Sequence, residues 1–407
     1  MEGLMEGNQS YSKTKIGWML TLYIATKPFY IFPSGFLQPA DLLLLVVFFY
    51  LVFTRSKLNV KHPLNTSSSK FILLYLTWLI YIGIVNLLWF VVLENTWNKG
   101  NNIDFLLSSI YSIFNFLVLC TCFFAYERIG PDIFKYVGNG FVLGTLVIAI
   151  NLFFEIGGAT RSTGGFNNPN QLGYYALLLM TGSAIFGSYM KKYQSLVVFL
   201  LSFIAILLSA SKAALLGATA LIFCLLIFKS KNTGIKSGII KGILSLLLVS
   251  VTYLVFFDQT LYLKNDTLFT IHNRFEKFFN SGIAEQLGDT RGYDRIFDIG
   301  HYLIWGMGEG GFYRFSTDYK GESHSSFVTI FVSYGVIGCI LWLLMFLVTK
   351  GNNTITSLYV FVGIFVYWMS HNGLRSTIFW LIVAAFLLYN NRSEKVQESN
   401  SSSNLIS

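Results

Sequence analysis

The feature that most constrains this chain is a series of apolar stretches, each roughly 20 residues long, the length a helix needs to cross a bilayer. They recur from the N-terminal region to residue 390, and only 12% of all residues are charged. An ordinary soluble domain carries about 25%. The stretches do not alternate as barrel strands do, and lipid offers no partners for free backbone groups. The sequence therefore predicts an all-α integral membrane protein.

The apolar stretches predict about twelve transmembrane helices, which divide the chain into four regions. Residues 1–257 carry the first nine spans, residues 258–322 form one large loop, residues 323–390 carry the last three spans, and residues 391–407 form a tail. The tail is polar and low in complexity, so it is predicted to be disordered. The predicted spans are 16–35, 39–54, 71–93, 104–125, 133–156, 170–189, 193–210, 212–228, 236–257, 323–348, 354–371 and 374–390.

Lysine and arginine residues indicate the orientation, because they concentrate in cytoplasmic loops. With the N-terminus inside, 17 of the 29 basic residues fall in inner segments and five in short outer loops. Those five are Lys27, Lys99, Arg161, Lys212 and Arg375. We therefore expect both termini in the cytoplasm and the large loop outside. The net charge of +9 is then explained by the anionic inner leaflet rather than by nucleic acid.

The four cysteines indicate neither a metal site nor a disulfide framework. Cys120, Cys122, Cys224 and Cys339 all lie inside apolar stretches, where a free cysteine behaves as a small hydrophobic residue. Their spacing matches no ligand pattern. We predict no metal and no cofactor.

Three of the outer basic residues lie in unusual local sequence. Arg161 opens the turn-rich stretch RSTGGFNNPNQLG, in which Asn170 is predicted to cap the helix that follows. Lys212 lies in SASKAALLG, between two spans with almost no loop, which keeps its ammonium group near the membrane surface. Arg375 comes four residues after His371, so the two side chains share a face if the segment is helical.

The stretch DTRGYDRIFDIGHYLIW of the large loop has helical periodicity. One face would carry Arg291, Arg295, Asp298 and Tyr302, and another would carry Ile296, Ile299, Leu303 and Ile304. We predict a short amphipathic helix that lies on the outer membrane surface and ends at GMGEGG.

His324 opens the apolar stretch HSSFVTIFVSYGVIG. An imidazole at the outer start of a membrane helix is suited to accept a proton near neutral pH. Arginines are the usual binders of phosphate oxygens, although outer arginines also contact lipid headgroups. Together the outer cations indicate a site for an anionic, lipid-linked ligand. They are Arg161, Lys212, Arg291, Arg295 and Arg375.

Four motifs, in this order, resemble those of the bacterial O-antigen polymerase and O-antigen ligase superfamily, which are membrane glycosyltransferases of the GT-C type. The first is the turn from Arg161 to Asn170. The second is SASKAALLG, where Lys212 takes the position of an arginine. The third is Arg295 followed by ten residues and a glycine. The fourth is HSSFVTIFVSYGVIG, with a serine where relatives have asparagine. HNGLRSTIFW also resembles the last hairpin of the family.

The resemblance implies an inverting, metal-independent and cofactor-free transfer of a glycan from undecaprenyl diphosphate to a sugar hydroxyl, at the outer face of the bacterial inner membrane. His324 would be the general base, with Arg161 and Arg295 as catalytic contacts to the diphosphate. Partners would be the undecaprenyl-diphosphate-linked oligosaccharide, membrane lipid, a chain-length regulator and a flippase. The implied substrate-binding residues are Lys212, Arg291, Arg375, Asn170 and His371.

Two alternatives stay open beside the favoured polymerase. An O-antigen ligase, which moves finished polymer onto the lipid A core, shares the same motifs. A lipid-linked oligosaccharide flippase or transporter belongs to another class. Such proteins carry ionisable residues deep in the bilayer and use discontinuous helices. In this sequence the charges lie near the ends of spans, and no discontinuous helix is evident.

Overall fold

The computed structural model describes residues 2–33, 36–54, 64, 66–94, 103–155, 161–191, 193–228, 291–309, 323–349 and 359–403. Every regular element within these ranges is helical, which confirms the predicted all-α class. The predicted span 236–257, Lys99 and the loop residues 258–290 and 310–322 lie outside the described residues.

The helices fall on the apolar stretches of the sequence. In chain order they are α1 (Glu2–Thr26), α2 (Pro39–Phe53), α3 (Thr66–Glu94), α4 (Ile103–Ile129), α5 (Asp132–Glu155), α6 (Pro169–Phe186), α7 (Gln194–Ser209), α8 (Lys212–Phe228), α9 (Arg295–Asp298), α10 (Ser326–Thr349), α11 (Val362–Trp368) and α12 (Thr377–Ser403). Short 3₁₀ turns, among them Gly187–Tyr189 and Gly300–Tyr302, accompany them.

Four of the described helices are long and apolar enough to cross a membrane. These spans are Thr66–Val91, Ser108–Ile129, Asp132–Glu155 and Ser326–Val348. Shorter apolar helices, such as Gln194–Ser209 and Thr377–Asn390, accompany them. The chain is therefore a membrane protein by length and composition of its helices, and the total of about twelve crossings stays a prediction.

The last helix is longer than the sequence predicts. α12 continues to Ser403, so the backbone of most of the predicted disordered tail, 391–407, is helical. Extending an existing helix costs far less than nucleating a new one, because each added residue contributes one hydrogen bond. Residues 391–403 contain no glycine or proline to stop it.

The chain divides into two compact units, and each is described by itself. Unit 1 consists of Met1–Pro63, Phe123–Asn280 and Ile355–Tyr367, and unit 2 consists of Leu64–Cys122, Ser281–Thr354 and Trp368–Ser407.

Helix α6 forms the centre of unit 1. It packs against α5, α7 and α8, and nearly all of its residues from Leu172 to Phe186 are buried. α1 packs closely on α5, where a Cβ added at Gly140 would lie 2.7 Å from Cδ1 of Ile24. Small residues are the usual means by which membrane helices approach each other.

Two helices of unit 1 begin with a proline preceded by a polar cap. α2 starts at Pro39, and the Gln38 N–H donates to Oδ2 of Asp41 at 3.0 Å. α6 starts at Pro169, and the Asn168 side chain accepts a hydrogen bond from the Asn170 N–H at 2.8 Å. The cap is therefore Asn168, and the prediction that Asn170 caps this helix is wrong. Proline fits the first helical position because its missing N–H would have no partner there.

We expect Asn168→Ala to lower the free energy of unfolding by about 1 kcal/mol, because it removes the acceptor at the start of α6. Asn168→Asp keeps that acceptor and should stay close to the original protein. Thermal unfolding in detergent micelles measures both variants. Equal losses for alanine and aspartate would contradict the capping role.

Aromatic side chains fill the core of unit 2, where α3 packs against α10 and α12. Tyr75 meets Trp380 edge to face with ring centroids 4.9 Å apart. The Asn115 amide donates to the Leu374 carbonyl at 3.1 Å, and Trp380 Nε1 donates to the same oxygen at 2.7 Å. These contacts anchor the segment that connects α11 to α12.

Candidate active site

In unit 1, Arg161 connects the turn before α6 to the hairpin between α7 and α8. Its Nε donates to the Ser209 carbonyl at 3.0 Å, and Nη2 donates to Oδ1 of Asn170 at 3.0 Å. The neighbouring Ser162 N–H donates to the Leu208 carbonyl at 3.1 Å. Arg161 is half-buried. The structure therefore brings Arg161 and Asn170 together, a contact that the sequence motif did not predict.

The turn after Arg161 is held by the C-terminal end of α5. The Glu155 carboxylate accepts hydrogen bonds from the N–H and hydroxyl of Thr163 and from the N–H of Gly164, at 2.7, 2.9 and 3.2 Å. Asn151 donates to the Gly164 carbonyl at 3.1 Å. Three donors converge on one carboxylate, so the backbone beside Arg161 is firmly positioned.

Lys212 is the first residue of α8 and is half-buried. Ala210 adopts a left-handed conformation with φ 48°, which reverses the chain between α7 and α8 within two residues. Ser209 thus reaches Arg161, and Lys212 follows three residues later. Arg161, Asn170 and Lys212 form the candidate cationic surface of unit 1.

In unit 2, Arg291 lies in a turn and Arg295 begins a helix of only four residues, so the two arginines do not share one continuous helix. α9 covers only Arg295–Asp298, and Gly300 with φ 43° ends it before the turn Gly300–Tyr302. The predicted amphipathic helix, with Arg291, Arg295, Asp298 and Tyr302 on one face, is therefore wrong. The stripe of isoleucine and leucine is also divided, because Ile299 is buried whereas Leu303 and Ile304 are exposed.

Arg295 is 3% exposed and folds back over Gly292. A Cβ added at Gly292 would lie 3.2 Å from Arg295 Cδ, Arg295 Nε and Ser323 Oγ. The Ser323 hydroxyl donates to the Arg291 carbonyl at 2.8 Å. Partial burial lowers the pKa of the Arg291 guanidinium, an effect that Tyr293 opposes, but the group stays charged at neutral pH. The Arg291 backbone therefore adjoins Ser323, the residue that precedes His324, while Arg295 and Ser323 both lie beside Gly292.

His324 is exposed at the start of α10, on a backbone held by its neighbours. The Ser325 hydroxyl donates to the Trp368 carbonyl, and that of Ser326 donates to the His371 carbonyl, both at 3.1 Å. The imidazole rings of His324 and His371 lie 6.4 Å apart. The serine that replaces asparagine after the histidine therefore supports the turn.

His371 and Arg375 do not share a helix face, because the segment between α11 and α12 is a turn. The Gly373 N–H donates to the Ser326 hydroxyl at 2.9 Å, which draws this turn to the start of α10. His371 lies near His324, whereas Arg375 points to Glu309 and stands over the Tyr111 ring at 5.0 Å. The shared helical face expected for His371 and Arg375 is therefore not formed.

Helix α10 is interrupted at Gly335, which has φ 63° and ψ −165°. In an unbroken helix the Val336 N–H would donate to the Val332 carbonyl. Here Val336 donates to Leu303 at 2.9 Å, and Val332 accepts from Met307 at 3.1 Å. Gly308 and Ile337 bond in the same way to Ser333 and Ile304. We call residues 303–309 the inserted segment, because their backbone fills the interruption.

The inserted segment places a carboxylate that the sequence analysis did not single out. The Glu309 side chain is 11% exposed. It accepts from the Tyr334 hydroxyl at Oε1 and from Arg375 Nη2 at Oε2, both at 2.9 Å. Glu309 stands in the glycine-rich stretch GMGEGG, which reads as a solvent-exposed turn. Its only sequence signal is an acidic residue close to the arginine motif.

The discontinuity of α10 at Gly335 shows that the expectation of no discontinuous helix is wrong. Among the described residues, no group of three or more histidine, cysteine, aspartate and glutamate side chains could hold a metal ion. The predicted site residues thus fall into two groups, Arg161, Asn170 and Lys212 in unit 1 and Arg291, Arg295, His324, His371 and Arg375 in unit 2.

Comparison with known proteins identifies the region that carries most of these features. Residues 197–343 match the family model described as O-Antigen ligase. Lys212, Arg291, Arg295 and His324 lie inside the matched region, together with the inserted segment and Gly335. No curated protein and no solved structure matches the chain.

Proposed function

We propose that this chain, whose residues 197–343 match the model of the O-antigen ligase family, is a surface-polysaccharide polymerase. It would transfer a growing glycan from undecaprenyl diphosphate to a sugar hydroxyl of the next lipid-linked repeat unit. The observation that carries the proposal is the grouping, in unit 2, of an exposed imidazole with two arginines. Ser323, which donates to the Arg291 backbone carbonyl, directly precedes His324, and Arg295 and Ser323 both lie beside Gly292.

The reaction divides into two tasks. The acceptor hydroxyl attacks the anomeric carbon and its proton passes to a nitrogen of the His324 imidazole. The bond between that carbon and the phosphate oxygen breaks, and undecaprenyl diphosphate leaves with the electron pair. Inversion at the anomeric carbon follows from a single displacement. The different exposure of the two residues supports these roles. His324 is exposed and accessible to an acceptor, whereas Arg295 is buried and supplies a positive charge in a fixed position.

The cations of the two units have separate parts in the proposal. Arg291 and Arg295 would stabilise the leaving diphosphate, and His371 would contact the acceptor near His324. For Arg161, two hydrogen bonds to Ser209 and Asn170 support a role in holding the start of α6. Arg161 and Lys212 stay candidate anion contacts on unit 1, where Lys212 cannot form the two-pronged contact of an arginine.

A ligase is the second candidate, because the matched family is described by that activity. It would use the same donor, base and cations, and differ only in the acceptor, the lipid A core. In both cases we propose a location in the bacterial inner membrane, with cytoplasmic termini and the loop 258–322 outside. A chain-length regulator and a flippase are proposed as partners.

Deleting the gene and separating surface glycans on a gel tests the proposal. For a polymerase, we expect the long glycan ladder to disappear and core capped with a single repeat to remain. For a ligase, uncapped core would appear while polymer accumulates on undecaprenyl diphosphate. Uncapped core with single lipid-linked repeats retained on the cytoplasmic side would instead indicate a flippase and would overturn the proposal. Complementation by the intact gene must restore the ladder.

A further inference from the structure

Glu309 takes part in a network of contacts that the proposed reaction leaves unused. Its N–H donates to Oδ1 of Asn86 at 3.0 Å, and the Asn86 amide donates to Ser109 at 3.0 Å. Its two carboxylate oxygens accept from Tyr334 and Arg375. The backbone and both side-chain oxygens of Glu309 are thus held, and Asn86 is fully buried. The carboxylate has a defined position and orientation.

The surrounding backbone is held with the same completeness. The Tyr81 hydroxyl lies 2.8 and 2.9 Å from the carbonyl oxygens of Trp305 and Tyr334. Trp89 Nε1 donates to the Gly306 carbonyl at 3.0 Å. Irregular backbone against the interior of a membrane span is tolerated only where its polar groups have partners. Here side chains of α3 satisfy the carbonyls of Trp305 and Gly306, and N–H groups of α10 satisfy those of Leu303 and Ile304, so Glu309 is carried on a rigid support.

Arg375 is held between this carboxylate and an aromatic ring. Its guanidinium pairs with Glu309 on one side and stands over Tyr111 at 5.0 Å. The Arg375 side chain is nevertheless 34% exposed, against 11% for Glu309. A guanidinium carries five N–H donors in a fixed plane. The carboxylate and the ring define that plane, and about a third of the side chain is exposed.

The cost of placing ionisable groups in a membrane protein indicates that the ion pair of Glu309 and Arg375 is more than a structural contact. Ionisable side chains in the membrane part of a protein are costly and commonly mark substrate sites. Replacing a buried ion pair by apolar residues is often neutral or stabilising. A pair that only joined the inserted segment to the turn before α12 would therefore be replaceable. Its exposed arginine on a rigid carboxylate suits the binding of an anion.

We propose that Glu309 is a positioning residue that orients Arg375 to contact the diphosphate of the lipid-linked donor. This inference rests on the proposed glycosyl transfer and adds to it a residue that acts through another. Glu309 keeps the guanidinium plane fixed before the substrate binds, so the loss of side-chain entropy is not incurred during the reaction. The carboxylate itself accepts two hydrogen bonds and is not the proton acceptor.

The test uses the full chain, purified into lipid nanodiscs. The donor is the undecaprenyl-diphosphate-linked glycan extracted from the deletion strain. Transfer gives kcat and KM, and undecaprenyl diphosphate alone is the probe for binding. We expect Glu309→Gln to lower kcat by about 10- to 100-fold, the effect of a reacting group misplaced by about 1 Å. The KM for the donor should change little, because the positive charge of Arg375 remains.

Three further variants separate positioning from other roles. In an Arg375→Gln background, Glu309→Gln should cause no additional loss, since it acts through Arg375. The exchanged pair Glu309→Arg with Arg375→Glu keeps an ion pair, so its thermal stability should be close to that of the original protein. Its transfer rate should stay at least about 100-fold below that of the original protein, since one lost transition-state donor costs that much. Asp132→Asn removes an exposed carboxylate of unit 1 and should leave activity unchanged.

The outcomes separate the positioning role of Glu309 from the proposed glycosyl transfer. If the original protein and the Glu309→Gln variant transfer glycan equally fast, the positioning role is overturned and the proposed transfer is not. Recovery of activity in the exchanged pair would show that the contact is only structural and would overturn it too. Tighter binding of undecaprenyl diphosphate with raised kcat in Glu309→Gln would mean that Glu309 opposes the anion, again overturning it. No transfer by the original protein would overturn the proposed function and this inference with it.

Discussion

Replacing His324 by alanine is expected to lower the rate of glycan transfer by about 10²- to 10⁴-fold, the contribution of a positioned general base. The imidazole is exposed at the start of α10, and its backbone is held by Ser325 and Ser326. Removing the ring therefore removes a proton acceptor without removing a packing contact of the core. The measurement is transfer from the extracted lipid-linked donor by the purified variant in nanodiscs.

The matched control is His301→Ala, because His301 is also an exposed imidazole of unit 2. It should transfer glycan at the rate of the original protein. Thermal unfolding of both variants should be unchanged, which separates loss of chemistry from loss of folding. If His324→Ala transferred glycan within about threefold of the original rate, His324 would not be the base that the mechanism needs.

The second large effect is expected at Gly306, and it concerns folding. Gly306 has φ 77°, and a Cβ there would overlap the carbonyl of Ser333 and the Cα of Tyr334. Both neighbours are backbone atoms of α10 at its interruption, so they cannot move aside as a side chain would. We expect Gly306→Val to cost more than about 4 kcal/mol, the range reached only by severe steric or packing defects. The variant should fail to accumulate as monodisperse protein in the membrane fraction.

Gly300→Ala is the control for backbone conformation alone. Gly300 also has a positive φ of 43°, but a Cβ there would meet no atom within 4 Å. The cost should be about 1–2 kcal/mol, from the left-handed conformation. Fluorescence-detected gel filtration of solubilised membranes compares the two variants. Normal yield and elution of Gly306→Val would show that the inserted segment does not pack into α10 as the structure describes.

The positions of the helices could be predicted because they depend on local composition. A membrane requires continuous apolar stretches whatever the rest of the chain does, and α3, α5 and α10 fall on them. The pairing of Arg161 with Asn170 was not predicted, although the two residues are only nine positions apart in the turn before α6. Pro169 and the asparagines beside it indicated the start of α6, with an error of two residues in the cap.

The interruption of α10 could not be predicted in the same way. A single glycine inside an apolar stretch is common in membrane helices, so Gly335 alone does not indicate a break. The break exists because residues 303–309, some 30 positions earlier, supply hydrogen bonds for the backbone groups it releases. GMGEGG was likewise predicted to be the end of a surface helix, because the residues that hold its glutamate, Tyr334 and Arg375, are distant in the sequence.

The sequence by itself determined that this is a helical membrane chain, with arginines and a histidine at particular positions along it, because hydrophobic length and charge are properties of local segments. Tertiary structure alone decided which of these residues meet: His324 with His371, the Arg291 backbone with Ser323, and Glu309 with Arg375. Such contacts depend on backbone hydrogen bonds and close approaches between distant segments. No local pattern encodes them.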